Sequence, residues 1–174
     1  MPRLWLVNQF ANTPDLPGHT RQYEVAAGLV LYGWQVEVFA SDFNLTQRKY
    51  RRLRFPQLWR TERPAGLRWS WLWVTPYRQN NWRRQLNMLS FCVHLAIRLG
   101  FAACLGHMNG RAPDVILASS PQLPAAFTCL WIARLSNIPF VLEVRDLWPQ
   151  VLIDQGGKSA GSPMVRLLAW MERQ

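Results

Sequence analysis

Short apolar runs that alternate with helical patterns limit the fold of this chain more than any other feature. In the last third, the runs DVILA at 114–118 and FVLEV at 140–144 flank a predicted helix over 121–136. Runs this short and this apolar are typical of strands that are buried on both faces of a sheet. Because strands that alternate with helices form parallel sheets, we predict an α/β fold with helices flanking the sheet.

The first third of the chain predicts one strand–helix–strand unit. An apolar run at 4–7 is the first strand, a helical pattern covers 19–32, and a second strand covers 34–40. Thr20 is placed to cap the start of the helix and Gly33 its end. The helical pattern puts five apolar residues on one face: Tyr23, Ala26, Ala27, Val30 and Leu31.

The net charge of +10 is concentrated in one segment. Residues 48–84 hold eleven Lys or Arg and a single acid, Glu62, whereas the rest of the chain is balanced. A local basic block indicates a local anionic partner. Five tryptophans lie among these arginines: Trp59, Trp69, Trp71, Trp73 and Trp82. These tryptophans are compatible with two alternatives: a face on the membrane surface, or a core beneath a solvated basic loop. Within the block, residues 69–74 are a predicted strand.

A long apolar segment at 86–105 admits three interpretations. It is long enough to span a bilayer, but Arg98 lies inside it, and a charge at that depth is costly. We therefore predict a helix packed on the sheet. A membrane-spanning helix and a helix lying in the membrane interface are the alternatives.

The three cysteines are widely spaced and lie in apolar sequence. They are Cys92, Cys104 and Cys129. We predict three buried thiols in a reducing compartment. No CxxC motif or His/Cys cluster occurs, so no metal site is predicted.

The loops that follow the carboxyl ends of parallel strands line the functional crevice of such sheets. Three predicted loops, at 8–19, 119–121 and 143–149, carry the polar candidates for a site. These candidates are Asn8, Gly18, His19, Ser119, Ser120, Glu143, Arg145 and Asp146. Gly18 precedes a helix start, where free backbone N–H groups favour an anion. The structural alternatives are an ordinary glycine turn, a serine–proline helix start and an ion pair within the third loop.

These segments resemble a known family. Three segments near the start are similar to the opening of family 4 glycosyltransferases: LWLVNQF at 4–10, PGH at 17–19 and GWQVEV at 33–38. PDVILASSP at 113–121 and IPFVLEVRDLWP at 138–149 resemble the subgroup that includes the N-acetylfucosaminyl transferases of O-antigen and capsule assembly. The resemblance covers nearly the whole chain, and the EVRDLWP block is its most specific part.

The resemblance implies a GT-B fold, in which two Rossmann-like domains face each other across a cleft. Residues 1–174 would be the N-terminal, acceptor-side half, with a last helix, starting at Pro163, that is cut short. The donor-binding domain would lie outside this chain, so we expect the chain alone to be inactive. The family transfers sugars with retention of anomeric configuration and without a metal, so no cofactor is expected.

The resemblance also suggests roles for the candidate residues. Gly18 would let the backbone approach the donor phosphate. Asp146 and Arg145 would contact the acceptor hydroxyl and a phosphate, with Glu143 in support, and Asp146 could orient or partly deprotonate that hydroxyl. Many members carry a histidine where this chain has Ser119 and its neighbour, so a histidine contact there is not expected.

The expected partners follow from the same family. They are a nucleotide sugar bound by the missing domain, a lipid-linked or glycan acceptor, and an anionic membrane surface contacted through Arg48–Arg84. The expected location is cytoplasmic, peripheral at the inner face of the plasma membrane. The alternative function is a non-enzymatic split module that binds a partner half. A nucleic-acid binder is disfavoured because no binding motif is present.

Overall fold

We describe the protein from a computed structural model. The description covers residues 1–54, 56–79, 81–110, 112–120, 122–147, 149–154 and 159–174. Within the predicted segments 48–84, 119–121 and 143–149, four positions lie outside the described residues: Phe55, Asn80, Pro121 and Trp148.

The described chain folds into eight strands and five α-helices. The strands are β1 Arg3–Val7, β2 Gln35–Ser41, β3 Phe43–Asn44, β4 Lys49–Tyr50, β5 Trp59–Glu62, β6 Arg68–Leu72, β7 Val115–Ser119 and β8 Phe140–Glu143. The helices are α1 Arg21–Leu31, α2 Trp82–Met108, α3 Leu123–Leu135, α4 Gln150–Asp154 and α5 Pro163–Glu172.

Six strands form one sheet in the order β5-β6-β2-β1-β7-β8. Strands β6, β2, β1, β7 and β8 run parallel, and β1 pairs with β2 on one side and β7 on the other. The prediction of a Rossmann-like α/β fold is confirmed. The edge strand β5 pairs antiparallel with β6, so the sheet is not entirely parallel. Strands β3 and β4 form a separate two-stranded hairpin after β2.

Helices cover both faces of the sheet because successive strand residues point to opposite sides. Leu4 and Leu6 of β1 pack on the side of Ala26 in α1. Trp5 and Val7 pack on the other side, which α2 and α3 cover. Two apolar cores therefore enclose the sheet, and its strands are buried on both faces, as their apolar sequences indicated.

Helix α1 ends as predicted but buries a slightly different face. Gly33 has φ +82°, its N–H donates to Val30 O at 3.0 Å, and the next N–H donates to Leu29 O, which is a Schellman motif. Thr20 precedes the helix, but its hydroxyl donates to the Glu24 carboxylate instead of capping a backbone N–H. Leu31 was predicted on the buried face and is 87% exposed, because it lies at the end of the helix, beyond the sheet.

Helix α2 packs on the sheet, as predicted, and leaves its outer face apolar. Phe91, Leu95 and Leu99 are buried in the core. Arg98 reaches Glu37 of β2 at 3.5 Å, which satisfies the charge inside the apolar run. The outward apolar residues, which we call the α2 stripe, are Trp82, Leu86, Leu89, Val93, Ile97, Phe101, Leu105 and Met108. Among the described residues, α2 is a helix long and apolar enough to cross a membrane by length and composition.

Side-chain burial bears on the two alternatives for the tryptophans and corrects one expectation for the cysteines. Trp69 and Trp71 lie fully in the core on the α1 side of the sheet, so they do not contribute to a surface face. Trp59 and Trp82 are the exposed members of the tryptophan set, since Trp73 is half-buried. Cys104 was predicted buried and is exposed, because it lies on the outer side of α2.

Candidate functional site

The loops that follow β1 and β7 lie at the carboxyl edge of the sheet, where its strand order reverses. In the sheet, strand β1 lies between β2 and β7. In open α/β sheets, ligands bind in the crevice outside the carboxyl ends of the strands at this point. All eight candidate residues of the sequence lie in the loops or strand ends at this edge.

The loop after β1 is held by its own polar side chains. The Asn8 carbonyl group Oδ1 accepts from the Phe10 N–H at 2.9 Å, and Asn8 itself is buried. Gly18 has φ +129°, and a Cβ atom there would lie 2.5 Å from Asn12 Nδ2. His19 is exposed, and its backbone oxygen accepts from the Asn12 N–H at 3.1 Å. This packing is sufficient to explain a glycine at position 18, and the phosphate role of Gly18 stays a prediction.

Two serines join the ends of β7 and β8. The Ser119 hydroxyl donates to Glu143 Oε2. The Ser120 hydroxyl accepts from the N–H of Arg145 at 2.7 Å and from the N–H of Asp146 at 3.2 Å. The Ser120 N–H donates to the Glu143 backbone oxygen at 2.9 Å. Both hydroxyls therefore position the loop that carries the two candidate catalytic residues.

An ion pair connects this loop with the first one. Glu143 Oε1 pairs with Arg21, the first residue of α1, which follows the Gly18 loop. Strands β1, β7 and β8 are neighbours in the sheet, so the loops that follow them lie side by side. The expected convergence of the three loops on one edge is present in the structure.

Arg145 and Asp146 present their side chains to solvent. Both are exposed. Glu143 is instead neutralised by Arg21, so a charge pair within the third loop does not form. Among the described residues, neither side chain has a hydrogen-bond or ion-pair partner. A carboxylate and a guanidinium are thus free at the edge of the crevice for a hydroxyl and an anion.

Two cavities open at the same edge, and none of the eight candidate residues lines them. The first, which we call the basic cavity, has a volume of about 510 Å³. Its lining residues are Phe43, Arg48, Lys49, Tyr50, Pro76, Tyr77, Arg78 and Arg83. The second, which we call the apolar cavity, has a volume of about 240 Å³. It is lined by Phe10, Arg84, Gln85, Met88, Gln122, Pro124, Met164, Leu167, Leu168 and Met171.

A buried aspartate holds the chain beside the basic cavity. Asp42, at the end of β2, accepts from the N–H groups of Arg51, Arg52 and Leu53, with Oδ1 2.8 Å from the Arg52 nitrogen. Burial raises the pKa of Asp42, and these backbone N–H groups partly offset that rise. The Tyr50 hydroxyl donates to the Val74 oxygen, and burial raises the pKa of Tyr50 to about 12. The basic segment is therefore fixed to the carboxyl edge of the sheet.

The apolar cavity contains a buried amide. Gln122 precedes α3 and is 2% exposed. Neither its Nε2 nor its Oε1 has a hydrogen-bond partner among the described residues. Because an unsatisfied buried amide is costly, this group is a candidate ligand contact. Sequence reasoning missed Gln122, since a glutamine beside proline carries no signal of its burial.

Within the described part of the chain, no three His, Cys, Asp or Glu residues are grouped so that they could hold a metal ion. Residues that could contact a small ligand are instead cationic, amide or hydroxyl groups. Such groups recognise phosphates and sugar hydroxyls by hydrogen bonds.

Comparison with known proteins agrees with this architecture. No curated protein matches the chain. Residues 18–174, which include all of α1 and everything after it, match the family described as Glycosyl transferase 4-like domain. This match covers most of the chain, and the Rossmann-like sheet is the fold expected for one half of a GT-B enzyme. The chain therefore belongs to the glycosyl transferase 4-like domain family.

Proposed function

We propose that this domain is the acceptor-side half of a retaining glycosyltransferase that moves a sugar from a nucleotide sugar to a lipid-linked glycan. The family supports glycosyl transfer with a nucleotide sugar and an acceptor as substrates. The observation that carries the proposal is the pair of free side chains, Arg145 and Asp146, on a loop fixed by Ser120 at the crevice edge.

The proposed chemistry needs little beyond positioning and charge stabilisation. The acceptor oxygen bonds to the anomeric carbon while the bond from that carbon to the donor phosphate breaks. Asp146 accepts a hydrogen bond from the acceptor hydroxyl, orients it and takes its proton as the new bond to the anomeric carbon forms, while the donor phosphate leaves with the electron pair of the broken bond. Arg145 faces the negative charge of a phosphate group. Glu143 supports both through its strand-end contacts with Arg21 and Ser119.

The proposed enzyme places the donor in a second Rossmann-like domain that faces this edge. Gly18 and His19 lie in the exposed loop that such a domain would approach. A donor-binding half supplied within the same chain or by a separate chain completes the site. The similarity of the segments at 113–121 and 138–149 to N-acetylfucosaminyl transferases favours polysaccharide synthesis as the pathway.

The proposed location is the inner face of the plasma membrane, where lipid-linked acceptors are used. Of the eleven cations in 48–84, only Arg52, Arg60 and Arg68 form ion pairs within the described chain. The remaining eight are available to an anionic surface, each contributing about 1 kcal/mol near such a membrane. The α2 stripe adds apolar side chains of the kind that enter the headgroup region.

The proposal is tested by restoring a donor-binding domain and assaying transfer. The domain is combined with a donor-binding domain, within one chain or as a separate chain, and sugar transfer from nucleotide sugars to polyprenyl-linked acceptors is measured. We expect turnover, and we expect Asp146→Asn to lower kcat by about 100-fold or more, because the general base role is lost.

Asp154→Asn is the matched control. Asp154 is also exposed, and among the described residues its carboxylate accepts a hydrogen bond from Gln150 alone. Its substitution should leave kcat unchanged. Absence of turnover with every nucleotide sugar, together with stable binding of a partner half, would instead favour the non-enzymatic split module.

A further inference from the structure

The basic cavity is built from three separate segments of the chain. The β3–β4 hairpin contributes Arg48 and Lys49, the loop after β6 contributes Arg78, and the first turn of α2 contributes Arg83. These segments meet at the carboxyl edge of β2 and β6, beside the loops of the proposed catalytic site. The tertiary fold therefore brings four cations from three segments around one cavity, which a basic surface spread along a single segment would not do.

The four cations of the basic cavity have no counter-ion in the described chain. None of them forms an ion pair there, although the neighbouring Arg52 pairs with both Asp15 and Glu62. Asp42 is a buried acid at this edge, and its oxygens accept from backbone N–H groups. Four like charges around one cavity repel each other, so the arrangement favours an anion as occupant.

Tyr77 is a lining residue of the cavity and carries a buried hydroxyl. It is 3% exposed, and its hydroxyl has no hydrogen-bond partner among the described residues. Burial raises the pKa of Tyr77, with Arg84 and Arg48 partly offsetting the rise, so the hydroxyl is a neutral donor at physiological pH. Arg48 lies over the Tyr77 ring at 5.9 Å. An oxyanion in the cavity would satisfy the hydroxyl and the guanidinium groups together.

The size and surroundings of the cavity fit a group larger than a simple ion. Its volume of about 510 Å³ lies within the roughly 300–1,000 Å³ that small-molecule sites occupy. The apolar cavity begins one residue further along α2, since Arg83 lines the basic cavity and Arg84 lines the apolar one.

We propose that the basic cavity binds a phosphate or diphosphate group, and that Arg48, Lys49, Arg78, Arg83 and the Tyr77 hydroxyl are its ligands. The phosphate group would belong to the lipid carrier of the acceptor, and this part of the assignment rests on the proposed function. Arg145 and Asp146 then act on the glycan end, and the carrier group is held by a different set of residues.

Calorimetric titration of the chain with inorganic pyrophosphate tests the site itself. We expect Arg48→Gln/Arg78→Gln to weaken pyrophosphate binding by about tenfold or more, and Tyr77→Phe to weaken it by a smaller factor. The control is Arg51→Gln/Arg54→Gln, which removes the same charge from the same segment, from residues that are equally exposed but lie outside the cavity. Thermal unfolding of each variant checks that the fold is retained. Lys49→Gln/Arg83→Gln gives a second pair if the first is unstable.

A second arm separates the sources of the phosphate. Vesicles of phosphatidylcholine with phosphatidylglycerol are added with and without pyrophosphate. Competition by pyrophosphate for vesicle binding, lost in the cavity pair and kept in the control pair, would support a phosphorylated lipid as the source. Binding of pyrophosphate without any competition would support a soluble phosphorylated group in the same cavity.

Two results would overturn the assignment. Equal losses of pyrophosphate binding in the cavity pair and the control pair would mean that the segment acts only as a diffuse charge. Binding of vesicles without any binding of pyrophosphate would leave the membrane location standing and remove the cavity site. Loss of glycosyl transfer in the restored enzyme, with pyrophosphate binding intact, would remove the proposed function and not the site.

Discussion

Gly18 and Gly28 lie ten residues apart and have opposite structural constraints. Gly18 has φ +129°, and its Cα faces Asn12, whose amide is fixed by bonds to Phe10 O and Asn44. Gly28 lies inside α1, and a Cβ there would meet nothing within 4 Å. We expect Gly18→Ala to lower the free energy of unfolding by about 1–3 kcal/mol, because of backbone strain and overlap with Asn12.

The matched variant is Gly28→Ala. In a helix with free space, alanine should raise the free energy of unfolding by about 0.5–1 kcal/mol. Urea unfolding of both variants at neutral pH provides the measurement. A neutral Gly18→Ala variant would mean that the loop after β1 adjusts readily, and the packing explanation for this glycine would be wrong.

The three cysteines should differ sharply in reactivity. Burial raises the pKa of Cys92 to about 11, and it raises that of Cys129 further, whereas Cys104 is exposed on α2. Because the thiolate is the reactive form, a raised pKa leaves less of it at a given pH. At pH 8, iodoacetamide should label Cys104 in the folded protein and the other two only after unfolding. Peptide mass spectrometry measures this, and comparable labelling of Cys129 in the native state would contradict its burial.

At the level of elements, the sequence predicted the strands and helices that have clear periodicity. The apolar runs became β1, β7 and β8 within one residue or so, because strands buried on both faces must be apolar along their whole length. Strand β5 was missed, since Trp59–Glu62 is largely exposed and its pairing with β6 is set only by the tertiary fold. The hairpin of β3 and β4 has two residues per strand, too few to produce a periodic signal.

The candidate site was partly predictable for a geometric reason. Loops that follow parallel strands meet at one edge, so Gly18, Ser120 and Asp146 could be placed together before the structure was known. The residues that contact them could not be predicted from the sequence. The pair of Arg21 with Glu143 joins residues that are 122 positions apart, and the basic cavity takes its cations from three segments. Contacts of that kind depend on how the elements pack.

Helix α2 has two faces that should respond differently to the same truncation. Leu95 is fully buried against the sheet, whereas Ile97 is 58% exposed in the α2 stripe. Leu95→Ala should lower the free energy of unfolding by about 2–5 kcal/mol, because it leaves a cavity in the core. Ile97→Ala should change it by less than about 0.5 kcal/mol. Equal effects in chemical denaturation would mean that the orientation of α2 is wrong.

For the whole molecule, the distribution of charge and apolar surface is more informative than the total charge. The excess charge of +10 lies in the segment 48–84, and four of its cations line the basic cavity at the carboxyl edge of the sheet. The α2 stripe starts at Trp82, near the end of this basic segment, and continues to the end of the helix. One end of the stripe is therefore cationic, which is the combination that attracts an apolar surface to an anionic membrane.

This arrangement predicts a membrane interaction with two separable components. Binding to vesicles that contain phosphatidylglycerol should fall as salt rises, because exposed charges are screened within about 8–10 Å at physiological ionic strength. Ile97→Gln/Phe101→Gln removes apolar contact from the stripe, so it should weaken binding at every salt concentration and leave the salt slope unchanged. The control, Leu31→Gln/Tyr32→Gln, also removes one aliphatic and one aromatic side chain, and both of these are even more exposed, at the end of α1. Co-sedimentation at several salt concentrations gives both quantities, and equal losses in the two variants would mean that the α2 stripe is not the surface that enters the membrane.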